Sequence, residues 1–127
     1  MKKILFFLFI SIAAISYVKN HYSFGDILRY SKTHPNRSTS PAVDYYVGMT
    51  AYLKSDYDLA VPAFEQLLAD YPTCQYAPNA LVRLAGIHSE KYHWEPARAA
   101  LQRYMDDFPQ GSEIESVRRK YEFIKFK

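Results

Sequence analysis

Two prolines, Pro72 and Pro109, close near-copies of one phrase and stand 37 residues apart: Phe64-Glu-Gln-Leu-Leu-Ala-Asp-Tyr-Pro72 and Leu101-Gln-Arg-Tyr-Met-Asp-Asp-Phe-Pro109. At the same interval Val47 meets Leu84, Gly48 meets Ala85, Tyr57 meets Trp94, Ala60 meets Ala97, Leu67 meets Tyr104 and Tyr71 meets Phe108. So many like-for-like pairs at one offset mark a repeated supersecondary unit, which buries its apolar face only by stacking on a neighbour. One interval earlier lies Pro35, with Ile27 opposite Phe64 and Tyr30 opposite Leu67. One interval later, Val117, Tyr121 and Ile124 stand opposite Ala80, Leu84 and Ile87. The array therefore reads as a half-repeat over 21–37, full repeats over 41–75 and 76–111, and a closing helix over 112–126.

The apolar positions inside each repeat recur at three and four residues, as in Val43, Val47, Ala51 and then Ala60, Ala63, Phe64, Leu67, Leu68. That is the stripe of a helix burying one face, and it predicts two helices per repeat and an all-α superhelix of stacked hairpins. Breakers fall between them at Lys54-Ser-Asp56, Pro72-Thr-Cys-Gln75, Glu90-Lys-Tyr92 and Pro109-Gln-Gly-Ser112. Ser40 before Pro41 reads as an N-cap with proline at the first helical position, and Ser112 with Glu115 as a capping box. Pro62 falls inside its helix, where a missing N–H and a clash one turn back predict a kink. Asp44 occupies a register where a large apolar residue is wanted, so loose packing is expected at the start of the first hairpin.

Residues 1–18 differ in character. Lys2 and Lys3 precede an uncharged run from Ile4 to Val18, after which Lys19-Asn20 opens polar sequence. This is an export signal or signal anchor. Fifteen apolar residues at 1.5 Å each cover about 22 Å of a roughly 30 Å hydrocarbon core, which favours cleavage, with Ala14-Ile15-Ser16 offering small residues at the right spacing. A tilted or thinned bilayer would accommodate an uncleaved helix, which leaves two expectations: soluble in the periplasm or cell envelope, or anchored to the inner membrane. No cysteine follows the apolar run, so no lipoprotein-type acylation is expected there.

Each repeat carries a small residue in its first helix (Gly48, Ala85), an alanine in its second (Ala60, Ala97), a bulky apolar residue four later (Phe64, Leu101) and a terminating proline (Pro72, Pro109). This pattern resembles the tetratricopeptide repeat, in which paired helices nest where one side chain is nearly absent. The longer period and the connection from Tyr71 to Pro78 are similar to the repeats of periplasmic envelope proteins such as the outer-membrane assembly lipoprotein BamD and the Tol-Pal coordinator. The resemblance implies a concave face lined by the first helices. By position it would be formed by Tyr45, Met49 and Tyr52, with Val82, Gly86 and Ser89 beside them, and would bind other proteins or peptides. The alternative is that these aromatics pack against the half-repeat.

Chemistry is not indicated. His88 and His93 are separated by an inter-helix turn rather than set on one helix face, and Cys74 stands alone, so neither a metal site nor a disulfide is expected. The Asp106-Asp107 and Asp56/Asp58 pairs lie at helix ends, and the Asn36-Arg-Ser38 sequon is read as incidental. The net charge of +3 includes Lys2 and Lys3, and the near-neutral remainder argues against nucleic acid. Charge is segregated along the chain: five acids and one lysine lie from Asp44 to Asp70, five bases and one acid from Arg118 to Lys127, an end suited to an acidic partner or anionic lipid. The expectation is a binding scaffold without cofactor or catalysis, oligomeric state open. The alternative is a membrane-tethered, self-associating structural subunit.

Overall fold

A computed structural model describes residues 1–127 as seven helices and no strand. They are α1 (Lys2–His21), α2 (Phe24–Thr33), α3 (Ser40–Leu53), α4 (Tyr57–Asp70), α5 (Ala77–Glu90), α6 (Trp94–Asp107) and α7 (Ile114–Ile124). The bounds of α3 and α5, and of α4 and α6, differ by the 37-residue interval itself, and α2 and α4 end one interval apart. The all-α, tetratricopeptide-type architecture follows: α3 with α4 and α5 with α6 form the two closest pairs, α2 packs on the first and α7 on the second.

The core explains the small positions. Ala60 and Ala97 have no exposed surface, each in the second helix of its hairpin. A methyl group on Gly48 would stand 2.6 Å from the Phe64 ring, so α3 approaches α4 only because that group is absent. The equivalent pair in the next repeat is Ala85 and Leu101, where a smaller partner leaves room for the methyl group. One core cluster runs from Ala51 to Ile124 and joins α3 to α7, while Leu28, Val47 and Ala63 fix α2 to the first hairpin. Equivalent polar residues add backbone ties between successive second helices: Gln66 Nε2 donates to the Leu28 carbonyl at 3.1 Å, and Arg103 Nη2 to that of Leu68 at 3.1 Å.

The turns within the hairpins repeat as well. Ser55 and Tyr92 both adopt left-handed backbone, at φ 57° and 58°, and the next N–H groups, of Asp56 and His93, donate to the carbonyls of Ala51 and His88 at 2.8 Å. This is a Schellman-like helix end built without glycine.

Several local expectations need correction. Ser40 lies inside α3, preceded by Thr39; its hydroxyl is buried and accepts the Asn36 N–H at 2.9 Å, so it braces the entering loop rather than capping the helix. Ser112 and Glu115 form no capping box. Glu113 precedes α7, its N–H donates to the Tyr104 hydroxyl at 3.1 Å, and Glu115 pairs with Arg118 instead. The capping box that does form, Ser23 with Asp26, opens α2, and its hydrogen bonds hold the Asp26 carboxyl below its usual range. Helix α4 continues past exposed Pro62, the position at which a kink is expected. The start of the first hairpin is closed: Asp44 is 1% exposed and accepts from Gln66 Nε2 at 3.2 Å. Burial pushes its carboxyl above the usual range.

Helix α1 extends to 20 residues, further than the apolar run, and buries none of them. At 1.5 Å per residue it is about 30 Å long.

Candidate protein-binding face

The first helices of the hairpins, α3 and α5, together with α7, are related by the repeat interval, and so are the residues they turn outward. Three registers run across them: Tyr45, Val82 and Arg119; Met49, Gly86 and Phe123; and Tyr52 and Ser89 with Phe126, which lies in the turn just after α7. Arg119, Phe123 and Phe126 carry no expectation from the sequence, although one more step of the same interval locates them. Phe123 and Phe126 are 74% and 91% exposed.

The structure gives the other members unequal roles. Tyr45 stacks on Tyr76 with ring centres 4.7 Å apart, and its hydroxyl accepts from Asn79, so it closes the seam between the two hairpins. Tyr52 lies under the Arg83 guanidinium, 5.2 Å from ring centre to Cζ, and is half-buried in the same seam. Met49 is half-buried against the core. Val82 is a core residue at 8% exposure, because a valine at this register ends within the hairpin where the tyrosine of the preceding repeat projects past it. Ser89 directs its hydroxyl to the Ala85 carbonyl at 2.7 Å and offers no free donor. Gly86 is exposed, and a side chain built there would meet nothing within 4 Å. Pro72 and Pro109, also exposed, follow the helix ends at Tyr71 and Phe108, where they cannot continue the helix.

Two exposed features flank this face. At the start of the array, exposed Tyr46 lies against Tyr45 and Tyr76, with ring centres 5.5 and 6.0 Å away. At its end a pocket of about 280 Å³ opens between α5, α6 and α7, with Gly86, Trp94 and Phe123 on its walls. A larger pocket of about 800 Å³ lies elsewhere, between the end of α1, α2 and the α3–α4 turn; Val18, Tyr22, Phe24 and Leu59 line it.

Titratable groups outside this face have structural surroundings. His88 has its pKa lowered by burial, its Nδ1 has no partner, and its ring centre is 6.2 Å from that of His93. No three His, Cys, Asp or Glu side chains converge as metal ligands. Cys74 is half-buried in the α4–α5 connection.

A family model described as YfiO, outer membrane lipoprotein, matches residues 37–119. That stretch runs from the turn before α3 into α7 and holds both tetratricopeptide-type, BamD-like repeats. No curated protein and no solved structure matches the chain.

Proposed function

This chain belongs to the YfiO family of outer membrane lipoproteins, and from that membership we propose that it is a protein-binding scaffold of the cell envelope, without catalytic activity of its own. The observation that carries the proposal is the coincidence of the family match with a stack of hairpins that leaves the outer side of its first helices unpartnered. Met49, Gly86, Phe123 and Phe126 offer apolar and aromatic surface there, while Tyr45 and Tyr52 give the seam its rigidity. A rigid scaffold with a few exposed aromatic anchors suits polypeptide binding, since little ordering entropy is lost on association.

Affinity capture from envelope extract tests this, comparing the native chain with a variant carrying Met49, Phe123 and Phe126 changed to serine, after helicity is checked. Loss of partners by the variant supports the face; equal recovery by both removes it.

A second reading concerns attachment. Helix α1 is wholly exposed, and its uncharged stretch from Ile4 to Val18 covers about 22 Å of a roughly 30 Å hydrocarbon core, with Lys2 and Lys3 at one end and Lys19 and His21 at the other, so a tilted or locally thinned bilayer could hold it. We favour a scaffold that this helix can hold at the inner membrane, and the intact mass of the exported protein distinguishes a retained helix from a cleaved one.

A further inference from the structure

We propose that the cleft between α5 and α7 is the anchor site for an acidic polypeptide segment, one bulky apolar side chain of which seats over Gly86 against Phe123. The inference rests on the binding-face reading and gives the partner a chemistry.

The argument begins with a glycine that packing does not explain. Gly48 is required by the Phe64 ring, whereas Gly86, one register along and in the middle of α5, has open space where its side chain would be. Glycine inside a helix costs about 1 kcal/mol relative to alanine, so an unfilled one is a defect unless the space has a use. Here the space is the floor of the cleft, walled by Trp94 and Phe123. The Ser89 hydroxyl is engaged by its own helix, which leaves the floor apolar. At about 280 Å³ the cleft falls below the size of small-molecule pockets and suits a single side chain. The ring of Phe123 is 74% exposed and packs against no other ring of the chain; its one close companion is the Lys127 ammonium.

Charge then selects the segment around that side chain. The acids Glu115 and Glu122 of α7 are each held by a cation three residues on, Arg118 and Lys125. Arg119, Lys120 and Lys127 have no carboxylate partner. Lys120 lines the cleft, and the Lys127 ammonium stands 5.4 Å from the Trp94 ring centre and 4.9 Å from that of Phe123, over its mouth. Arg98 fixes this end of the chain by donating to the Lys127 carbonyl at 2.9 Å. An apolar floor under a cationic rim is complementary to an apolar residue flanked by carboxylates.

The test uses the full chain in zwitterionic detergent and the fluorescence anisotropy of a labelled peptide in which one phenylalanine is flanked by aspartate and glutamate. Two variants are compared with the native chain, Gly86→Leu and the double reversal Lys120→Glu with Lys127→Glu. A Cβ at Gly86 meets no atom within 4 Å, so Gly86→Leu extends into the cleft; it is expected to raise the thermal midpoint while weakening the peptide by at least about tenfold. The double reversal is expected to weaken it by about tenfold at low salt, and less as salt rises. A peptide with alanine for phenylalanine should bind the native chain no better than the original binds Gly86→Leu. Unchanged affinity for Gly86→Leu overturns the proposal, as does equal affinity for a peptide with lysine in place of its acids. Weakening by charge reversal alone also overturns it, since the basic end would then attract polyanions, lipid headgroups among them, without an anchor. Capture from envelope extract separates the two levels. If Gly86→Leu retains partners that the Met49, Phe123 and Phe126 variant loses, only this inference falls; if both retain them, the binding face falls too.

Discussion

The Gly48–Phe64 contact allows a prediction whose size follows from the geometry. A methyl group added at Gly48 would meet Cε1, Cδ1 and Cζ of Phe64 at 2.6, 2.8 and 3.0 Å, and the ring, with no exposed surface, has nowhere to retreat. Overpacking of this kind costs about 1–3 kcal/mol, and three ring atoms in contact place Gly48→Ala near the upper end. Alanine recovers about 1 kcal/mol of helix propensity, so the net loss is about 2 kcal/mol, or roughly 10 °C in a domain of this size. Phe64→Leu alone leaves a partial cavity and costs about 1–2 kcal/mol. Combined, the two changes recreate the Ala85–Leu101 pairing of the second repeat, so the double variant should be no less stable than Phe64→Leu alone. Urea unfolding of the four proteins, followed by helical circular dichroism in zwitterionic detergent, yields the coupling energy, expected at about 2 kcal/mol. Additive effects, with coupling under about 0.5 kcal/mol, would refute the claim that these two positions set the approach of α3 to α4.

Three further outcomes are expected. Asp44 has a folded-state pKa raised by burial, so its contribution to stability is present in full below the unfolded-state pKa and is lost as pH rises through the folded value. Lowering the pH from neutrality should therefore raise the urea midpoint through this group, and Asp44→Asn should remove that part of the slope; identical slopes in the two proteins would contradict it. Ser55→Gly should stabilise the chain by about 1 kcal/mol, because the left-handed backbone at this helix end costs serine what glycine does not lose, and thermal unfolding reads the gain. Pro62→Ala should raise stability by up to about 3 kcal/mol, since Pro62 is exposed and the new N–H can donate within α4; an unchanged midpoint would show that the helix loses nothing there.

The registers of the fold were legible because they are periodic. A constant interval of matched residues relates the bounds of α3 to those of α5, the bounds of α4 to those of α6 and the start of α5 to that of α7, and the same step from Met49 and Tyr52 leads through Gly86 and Ser89 to Phe123 and Phe126. The caps were less legible. Ser40 and Ser112 have the right residue types at the right places, but a hydroxyl binds whichever donor or acceptor the tertiary fold brings near, and Ser40 receives Asn36. The face residues followed the same rule: Tyr45 and Tyr52 share one side of α3 with Met49, yet their contacts with Asn79 and Arg83 decide that they belong to a seam.

By itself the sequence determined the unit, its length, its helical character and the small-against-large pairing of its core, since all of these reside in spacings of three, four and 37 residues along the chain. Only the tertiary structure decided which outward positions remain free, that Asp44 would be buried with Gln66, and that Gly86 would face open space while Gly48 faces a ring. The physical reason is that these outcomes depend on the distance between side chains on neighbouring helices, and that distance is set by the joint packing of the stack.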